Sequence, residues 1–191
     1  FNYFHASRDE NAIVLSANTT SSLDMTAWLM KDHEGITLVS LMEHHSNDLP
    51  HRHRSEVKHF GVNPDGTLEM NDLEHKLKTN KVKLVAVTGA SNVTGFITDI
   101  HKIAELAHQH GARILVDAAQ LLAHKEIDVL PNDAPGHIDF LAAAGHKAYA
   151  PFGSAFLFGP RDVLDTVQPY VPGGGTVMFV SEHDYIYASS P

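Results

Sequence analysis

The chain has 191 residues, of which 43% are hydrophobic and 19% are charged, and this fits one large globular domain with a substantial core. The formal net charge of -9 argues against nucleic acid or an anionic membrane as the main partner, and the absence of cysteine excludes disulfides and thiolate metal sites within these residues. No apolar stretch is long enough to span a bilayer and no signal peptide is visible, so we expect a cytoplasmic location.

Strand and helix patterns alternate along the chain, which predicts a three-layer αβα fold with a mainly parallel sheet. Short apolar runs predict strands at residues 11–17, 36–42, 57–62, 82–88, 113–116, 138–143 and 154–158. Helical spacing of apolar residues predicts helices at residues 23–30, 71–78 and 99–110. Residues 172–176 read as a flexible glycine loop, and no repeat or linker divides the chain.

Lys147 is the most informative single residue, because it follows an apolar run that ends in three alanines, a glycine and His146. In open α/β sheets, ligands bind at the carboxyl ends of the strands. A lysine held against apolar surroundings favours the free amine that a Schiff base requires. Taken alone, however, a lysine in solvent with no special role is the commoner case. The interpretation therefore depends on the groups that follow the other strands.

One of these groups is suited to bind an anion, and another is suited to bind a cation. Thr19, Thr20 and Ser21 begin a predicted helix, where free backbone N–H groups, hydroxyls and the helix dipole favour a phosphate, although simple capping explains them equally well. Asp117 closes a buried strand, and a buried carboxylate needs a cation or a strong donor. A protonated pyridine nitrogen is one such partner, and a backbone group or a lysine is another.

Histidine and amide side chains are predicted at the same edge of the sheet. His44 can stack on a planar ring or transfer protons, although a lone histidine is more often structural. Asn92 follows the strand at residues 82–88.

The four histidines between residues 44 and 53 suggest a metal cluster, but Pro50 interrupts their segment, so we predict no metal site.

Pyridoxal 5'-phosphate has a partner for each of these groups. Its phosphate suits the helix start, its ring suits a stacking histidine, its ring nitrogen suits a carboxylate, and its aldehyde suits an amine. A flavodoxin-like nucleotide-binding domain would also suit the sheet, but it leaves Lys147 and Asp117 unexplained. We therefore predict pyridoxal 5'-phosphate as the cofactor.

The chain resembles the class V aminotransferase family of fold-type I pyridoxal phosphate enzymes, in particular its cysteine desulfurase and selenocysteine lyase branch. The resemblance runs from about residue 11 to residue 176. It is carried by four motifs in family order, namely Glu43-His-His-Ser-Asn47, Ser91-Asn-Val-Thr-Gly95, Val116-Asp-Ala-Ala-Gln120 and Gly145-His-Lys147.

The resemblance implies a role for each matching residue around the ring. Lys147 would form the internal aldimine and shuttle the α-proton of the amino-acid substrate. Asp117 would pair with the pyridinium nitrogen, and Gln120 would donate to the phenolic oxygen. His44 would stack on the ring, and Asn92 would lie near the ring oxygen and the substrate carboxylate.

The resemblance also implies the phosphate contacts. Thr20, the backbone at Ser21 and His146 would hold the phosphate, and Thr176 would reach the cofactor of a partner subunit in a homodimer. One departure is visible, since the family usually has serine or threonine where this chain has Ala144. The loss of a hydrogen bond to a charged acceptor costs on the order of 1.5–3 kcal/mol, which other donors can compensate.

Members of this family are longer, with a smaller C-terminal domain that carries the arginine for the substrate carboxylate and, in desulfurases, the nucleophilic cysteine. We therefore expect residues 1–191 to be an incomplete large domain that binds the cofactor and is inactive alone. The predicted reaction is C–S lyase chemistry on a cysteine-like amino acid. An aminotransferase, epimerase or kynureninase-like reaction and an inactive cofactor-binding module remain alternatives.

Overall fold

The computed structural model describes residues 1–165 and 168–188. Its strands are β1 (Asn11–Ser16), β2 (Ile36–Ser40), β3 (Val57–Phe60), β4 (Val82–Thr88), β5 (Arg113–Asp117), β6 (Phe140–Ala144), β7 (Ala155–Pro160), β8 (Val177–Val180) and β9 (Tyr185–Tyr187). Its α-helices are α1 (Thr19–Leu29), α2 (Leu49–Arg52), α3 (Met70–Thr79), α4 (Ile100–Gln109) and α5 (Arg161–Leu164). Within these residues, no helix is both long and apolar enough to cross a membrane.

Seven strands form one twisted sheet in the order β1-β7-β6-β5-β4-β2-β3. Strand β7 runs antiparallel to β1 and β6, and the pairs from β6 to β3 are parallel. All seven residues of β4 are buried, as expected for a central parallel strand that helices cover on both faces. The prediction of a mainly parallel α/β fold is confirmed.

The two faces of the sheet carry separate hydrophobic clusters, because successive side chains of a strand point to opposite faces. Val85 and Val87 of β4 pack in the cluster that includes the buried residues of α3 and α4. Leu84 and Ala86 pack in the cluster that includes Leu23 of α1 and residues of α5. The sheet is therefore the middle of three layers.

The structure differs from the predicted elements mainly at their ends. Helix α1 begins at Thr19 rather than at residue 23, because the Asn18 side chain caps it by accepting a hydrogen bond of 2.8 Å from the Ser21 amide. Strand β2 ends at Ser40, two residues early, because the chain then bends into the His44 loop. The short helices α2 and α5 and the exposed hairpin of β8 and β9 were not predicted.

Candidate active site

A cavity of about 160 Å³ opens at the carboxyl ends of the parallel strands. It is lined by side chains from the start of α1 and from the ends of β2, β4, β5 and β6 or the segments that follow them. Eight of the ten residues predicted to contact the cofactor line it, and these are Thr19, Thr20, His44, Asn92, Asp117, Gln120, His146 and Lys147. The same end of the sheet therefore gathers groups that are up to 128 residues apart in the sequence.

Ser21 and Thr176 do not line this cavity. The amide and the hydroxyl of Ser21 both donate to Oδ1 of Asn18, at 2.8 and 3.1 Å, so the predicted backbone donor is engaged in the helix cap. Thr176 lies in a turn that begins at Gly173, and it borders a different cavity beside Trp28. A role for Thr176 requires a second subunit and stays a prediction.

The start of α1 presents hydroxyl groups to the cavity. Thr19 and Thr20 both line it, and the hydroxyl of Thr20 lies 2.9 Å from the hydroxyl of Ser46, which belongs to the loop after β2. Two facing hydroxyls beside the positive end of an eleven-residue helix form a suitable place for an anion. Sequence reasoning missed Ser46 because the loop that carries it meets α1 only in the folded chain.

Lys147 lies in a 3-10 turn, Gly145–Ala148, that follows β6 directly. A Cβ atom on Gly145 would come within 2.8 Å of the Ser154 hydroxyl, so only glycine permits this close turn. The turn carries the lysine to the cavity, but its side chain is exposed. The expectation that apolar neighbours of this chain enclose the Lys147 amine is therefore wrong.

Asp117 ends β5 and is only 5% exposed. One of its oxygens accepts a hydrogen bond of 2.9 Å from the Ala119 amide, whereas the other has no hydrogen-bond partner in the described part of the chain. Burial raises the pKa of Asp117, and the Ala119 amide, Lys147 and His44 oppose this rise. A cationic donor in the cavity would complete the environment of this carboxyl group.

His44 lies at the start of a 3-10 turn, His45–Asn47. Its Nδ1 accepts a hydrogen bond of 3.1 Å from the Ser46 amide, which leaves the proton of a neutral ring on Nε2. The histidine is exposed and lines the cavity, so its ring is available to a planar ligand.

The four histidines between residues 44 and 53 do not form a cluster of metal ligands. His44 faces the cavity, whereas His51 is buried in α2, where burial lowers its pKa to about 4. In the described ranges, the side chains close enough to share an ion are His108, His137 and Asp139, at the opposite edge of the sheet. Arg113 also contacts Asp139 there, at 3.2 Å.

Glu43 was part of a recognised motif, but no role was predicted for it. Its carboxyl group accepts hydrogen bonds from the Thr88 amide at 2.8 Å, from the Asn47 side chain at 2.6 Å and from the Ser40 hydroxyl. Burial is the largest influence on this group and raises the pKa of Glu43 to about 8. The sequence gives no signal for this contact, because Thr88 is 45 residues away.

Comparison with known proteins gives the family. The family model for class-V aminotransferases matches residues 1–191. The chain belongs to the class-V aminotransferase family. A probable cysteine desulfurase of Halalkalibacterium halodurans is 34% identical over 99% of the chain and 47% of its own length. A probable cysteine desulfurase of Methanothermobacter thermautotrophicus is 36% identical, again over 99% of the chain and 47% of its length.

Two solved structures of cysteine desulfurases share the fold. The apo cysteine desulfurase of Thermococcus onnurineus superposes with a TM-score of 0.84 at 31% identity, over 100% of this chain and 48% of that chain. The cysteine desulfurase CsdA of Escherichia coli gives a TM-score of 0.83 at 29% identity, over 94% and 46%. The chain spans about half the length of the relatives it matches. Because these relatives and solved structures are cysteine desulfurases or probable ones, the chain belongs to the cysteine desulfurase branch of the family.

Class-V aminotransferases depend on pyridoxal 5'-phosphate, and the donor set of the cavity fits this group. Asp117 offers a carboxylate oxygen without a hydrogen-bond partner among the described residues, which suits a protonated ring nitrogen. The start of α1 suits the phosphate, and Lys147 supplies an amine. Ala144 is fully buried in β6 and offers no hydroxyl, so the hydroxyl donors near the start of α1 are Thr19, Thr20 and Ser46.

Proposed function

We propose that the full-length protein is a pyridoxal 5'-phosphate-dependent enzyme that acts on an amino acid through Lys147, with cysteine desulfurase-like C–S lyase chemistry. In this proposal residues 1–191 form the large domain that binds the cofactor. The observation that carries it is the meeting of Lys147, Asp117, His44 and the start of α1 in one cavity. The curated relatives support the choice of reaction, since those cited are named as cysteine desulfurases or probable ones.

When bound, pyridoxal 5'-phosphate reacts with amines through its aldehyde and withdraws electrons from the carbon next to the amine. Lys147 would hold the cofactor through its amine, and its Nζ would accept and return the α-proton of the substrate. Asp117 would hold the proton on the ring nitrogen, because its partly unpaired, buried carboxyl group is more stable beside a cation. His44 would shield the ring from water.

The remaining cavity residues orient the cofactor. Thr19, Thr20 and His146 bind the phosphate, Gln120 donates to the phenolic oxygen, and Asn92 lies near the substrate carboxylate. These assignments are supported by the position of all five residues on the cavity wall. A homodimer, in which Thr176 reaches the partner's cofactor, and a cytoplasmic location belong to the same proposal.

Cofactor attachment tests the proposal directly. The full-length protein mixed with pyridoxal 5'-phosphate should gain a visible absorbance band, and borohydride should remove the band and fix the cofactor to the peptide that contains Lys147. The Lys147→Ala variant should lose this attachment, whereas the matched variant Lys102→Ala, at an exposed position on α4, should retain it. Attachment at another lysine, or a band that persists in Lys147→Ala, would contradict the proposal.

The reaction type is tested by supplying L-cysteine to the full-length protein with its cofactor. Release of sulfide with formation of alanine supports C–S lyase chemistry. Formation of a keto acid or racemised cysteine without sulfide would support the aminotransferase or epimerase alternatives. Cofactor attachment without turnover of any amino acid would support the inactive binding module.

A further inference from the structure

The Glu43 carboxyl group joins three elements that border the cavity. Its Oε1 accepts the Thr88 amide hydrogen at the end of β4 and the Ser40 hydroxyl at the end of β2. Its Oε2 accepts a hydrogen bond of 2.6 Å from Asn47, which is fully buried in the turn after His44. One side chain therefore connects the His44 loop to two strand ends.

The contact with Thr88 also connects His44 to Asp117. Thr88 and Asp117 are partners in the parallel pairing of β4 with β5, and both residues line the cavity. The loop also meets α1, where the Ser46 hydroxyl lies 2.9 Å from the Thr20 hydroxyl, but His44 and His45 are exposed and the amides of Asn47 and Asp48 bond within the turn. Glu43 is the contact that joins this loop to the ends of β2 and β4, and through β4 to Asp117.

We propose that Glu43 is a positioning residue, whose carboxyl group fixes the His44 loop against the ends of β2 and β4 and so helps to set the position of the His44 ring relative to Asp117. The inference rests on the proposed function for the role of His44, but the tether itself is a property of the chain alone.

The surroundings of Glu43 favour its neutral form. Burial, and to a smaller extent the charge of Asp117 on β5, raise the pKa of Glu43, whereas the hydrogen bonds from Ser40, Asn47 and Thr88 lower it. Burial outweighs the hydrogen bonds, and the pKa of Glu43 rises to about 8. A neutral acid holds the loop without placing a second carboxylate beside Asp117, whose charge the ring nitrogen requires.

The Asn47 side chain indicates which substitution of Glu43 preserves the tether, that is, the hydrogen bonds that join position 43 to Ser40, Asn47 and Thr88. Its Oδ1 is buried without a hydrogen-bond partner in the described part of the chain. If the amide group of Asn47 turns over, this oxygen faces position 43 and accepts a hydrogen bond from a donor there. Glutamine at position 43 supplies that donor, and its own oxygen still accepts from Thr88 and Ser40. Alanine removes all three contacts.

Amide exchange in the full-length protein without cofactor tests the tether alone. The Thr88 amide should exchange at least about tenfold faster in Glu43→Ala, because it loses its acceptor, and at close to the wild-type rate in Glu43→Gln. Glu105→Ala, at an exposed position on α4, serves as the matched control and should exchange like the wild type. Wild-type protection of Thr88 in folded Glu43→Ala would overturn the inference.

Titration with pyridoxal 5'-phosphate tests the consequence for the site. We expect Glu43→Ala to bind the cofactor about tenfold more weakly, which corresponds to the loss of one well-placed contact, and Glu43→Gln to bind within about twofold of the wild type. The visible circular dichroism of the bound cofactor should change in Glu43→Ala alone, because it reports the position of the neighbouring His44 ring.

The pH dependence separates a neutral tether from a negative charge. Above about pH 8 the wild type should lose cofactor affinity relative to Glu43→Gln, because only the wild type acquires a second carboxylate there. A Glu43→Gln variant as defective as Glu43→Ala would overturn the neutral tether. A wild type that binds no cofactor would instead refute the proposed function, and the exchange rates of Thr88 would still decide whether the tether exists.

Discussion

Two carboxyl groups lie at the cavity end of the sheet, Glu43 in the loop that follows β2 and Asp117 on the cavity wall. Glu43 accepts three hydrogen bonds from the protein, but burial outweighs them and raises its pKa to about 8. Asp117 has one hydrogen bond, from the Ala119 amide, and Lys147 and His44 partly offset the effect of burial. The first group is therefore suited to a structural role as a neutral acid, and the second to binding a cation.

Asp117→Asn should raise the unfolding free energy of the cofactor-free protein. The same substitution should weaken cofactor binding. Burial raises the pKa of Asp117, so the folded state holds its proton more tightly than the unfolded state, and this contribution to stability is lost as pH rises above the unfolded value. The variant should gain about 1 kcal/mol or more in unfolding free energy at pH 7, and little near pH 3.

Urea denaturation at the two pH values measures this gain, and titration with pyridoxal 5'-phosphate measures the loss of affinity. Asp133→Asn, on the surface, provides the control for the removal of a negative charge. A variant that is less stable at pH 7 than the wild type would show that Asp117 is held by favourable contacts of the chain itself.

At the scale of elements, the accuracy of the sequence predictions follows from burial. The central strands were located within one or two residues, because β4, β5 and β6 are continuous apolar runs with both faces covered. The hairpin of β8 and β9 was missed because its apolar residues are exposed and show no alternation of burial. The site was anticipated where a residue directly follows a strand, as Asp117 does, and missed at Glu43 and Ser46, whose partners are distant in sequence.

Asp139 joins α4, β5 and β6 at the edge of the sheet opposite the cavity. Its carboxylate, 5% exposed, accepts hydrogen bonds from His108 at 2.9 Å, from the Ile114 amide at 2.9 Å and from Arg113 at 3.2 Å. These partners hold the pKa of Asp139 well below its usual range despite burial, while Asp139 raises the pKa of His137. The cluster therefore ties the ends of three elements together.

Asp139→Asn should cost about 1.5–3 kcal/mol of unfolding free energy at pH 6, because the half-buried side chains of Arg113 and His137 lose a charged acceptor, while Arg113 keeps its contact with Asp162. The lowered pKa of Asp139 gives stability that is present above its unfolded value and is lost as pH falls through the acid range. The raised pKa of His137 gives stability that is present below its unfolded value and is lost as pH rises through the folded value.

The difference in unfolding free energy between the wild type and Asp139→Asn should therefore be largest between about pH 4.5 and pH 6.5. Thermal or urea unfolding across pH 3 to 9 gives this profile. Equal stability of the two proteins at pH 6 would mean that the cluster contributes nothing to the fold.

At the scale of the whole molecule, the two ends of the sheet differ in how their polar groups are paired. One end carries the cavity, and the other carries the Asp139 cluster. The Asp139 cluster satisfies its charges within the described chain. The cavity end retains an Asp117 oxygen without a hydrogen-bond partner among the described residues, and an exposed Lys147. Natural proteins place unsatisfied groups where function requires them, and the ion cluster joins α4 and β5 to the start of β6 at the opposite end. A ligand that satisfies the cavity groups should therefore stabilise the whole fold.

Pyridoxal 5'-phosphate should raise the unfolding temperature of the full-length protein. A ligand at a hundred times its Kd adds about 2.7 kcal/mol to the unfolding free energy. Lys147→Ala should retain part of this gain, because the phosphate and ring contacts remain, whereas Asp117→Asn should retain less of the ring-nitrogen contribution. Inorganic phosphate should give a small increase through the start of α1, and Thr20→Val should abolish that increase. An unfolding temperature that is unchanged by pyridoxal 5'-phosphate at saturating concentration would show that the groups gathered in the cavity do not bind it.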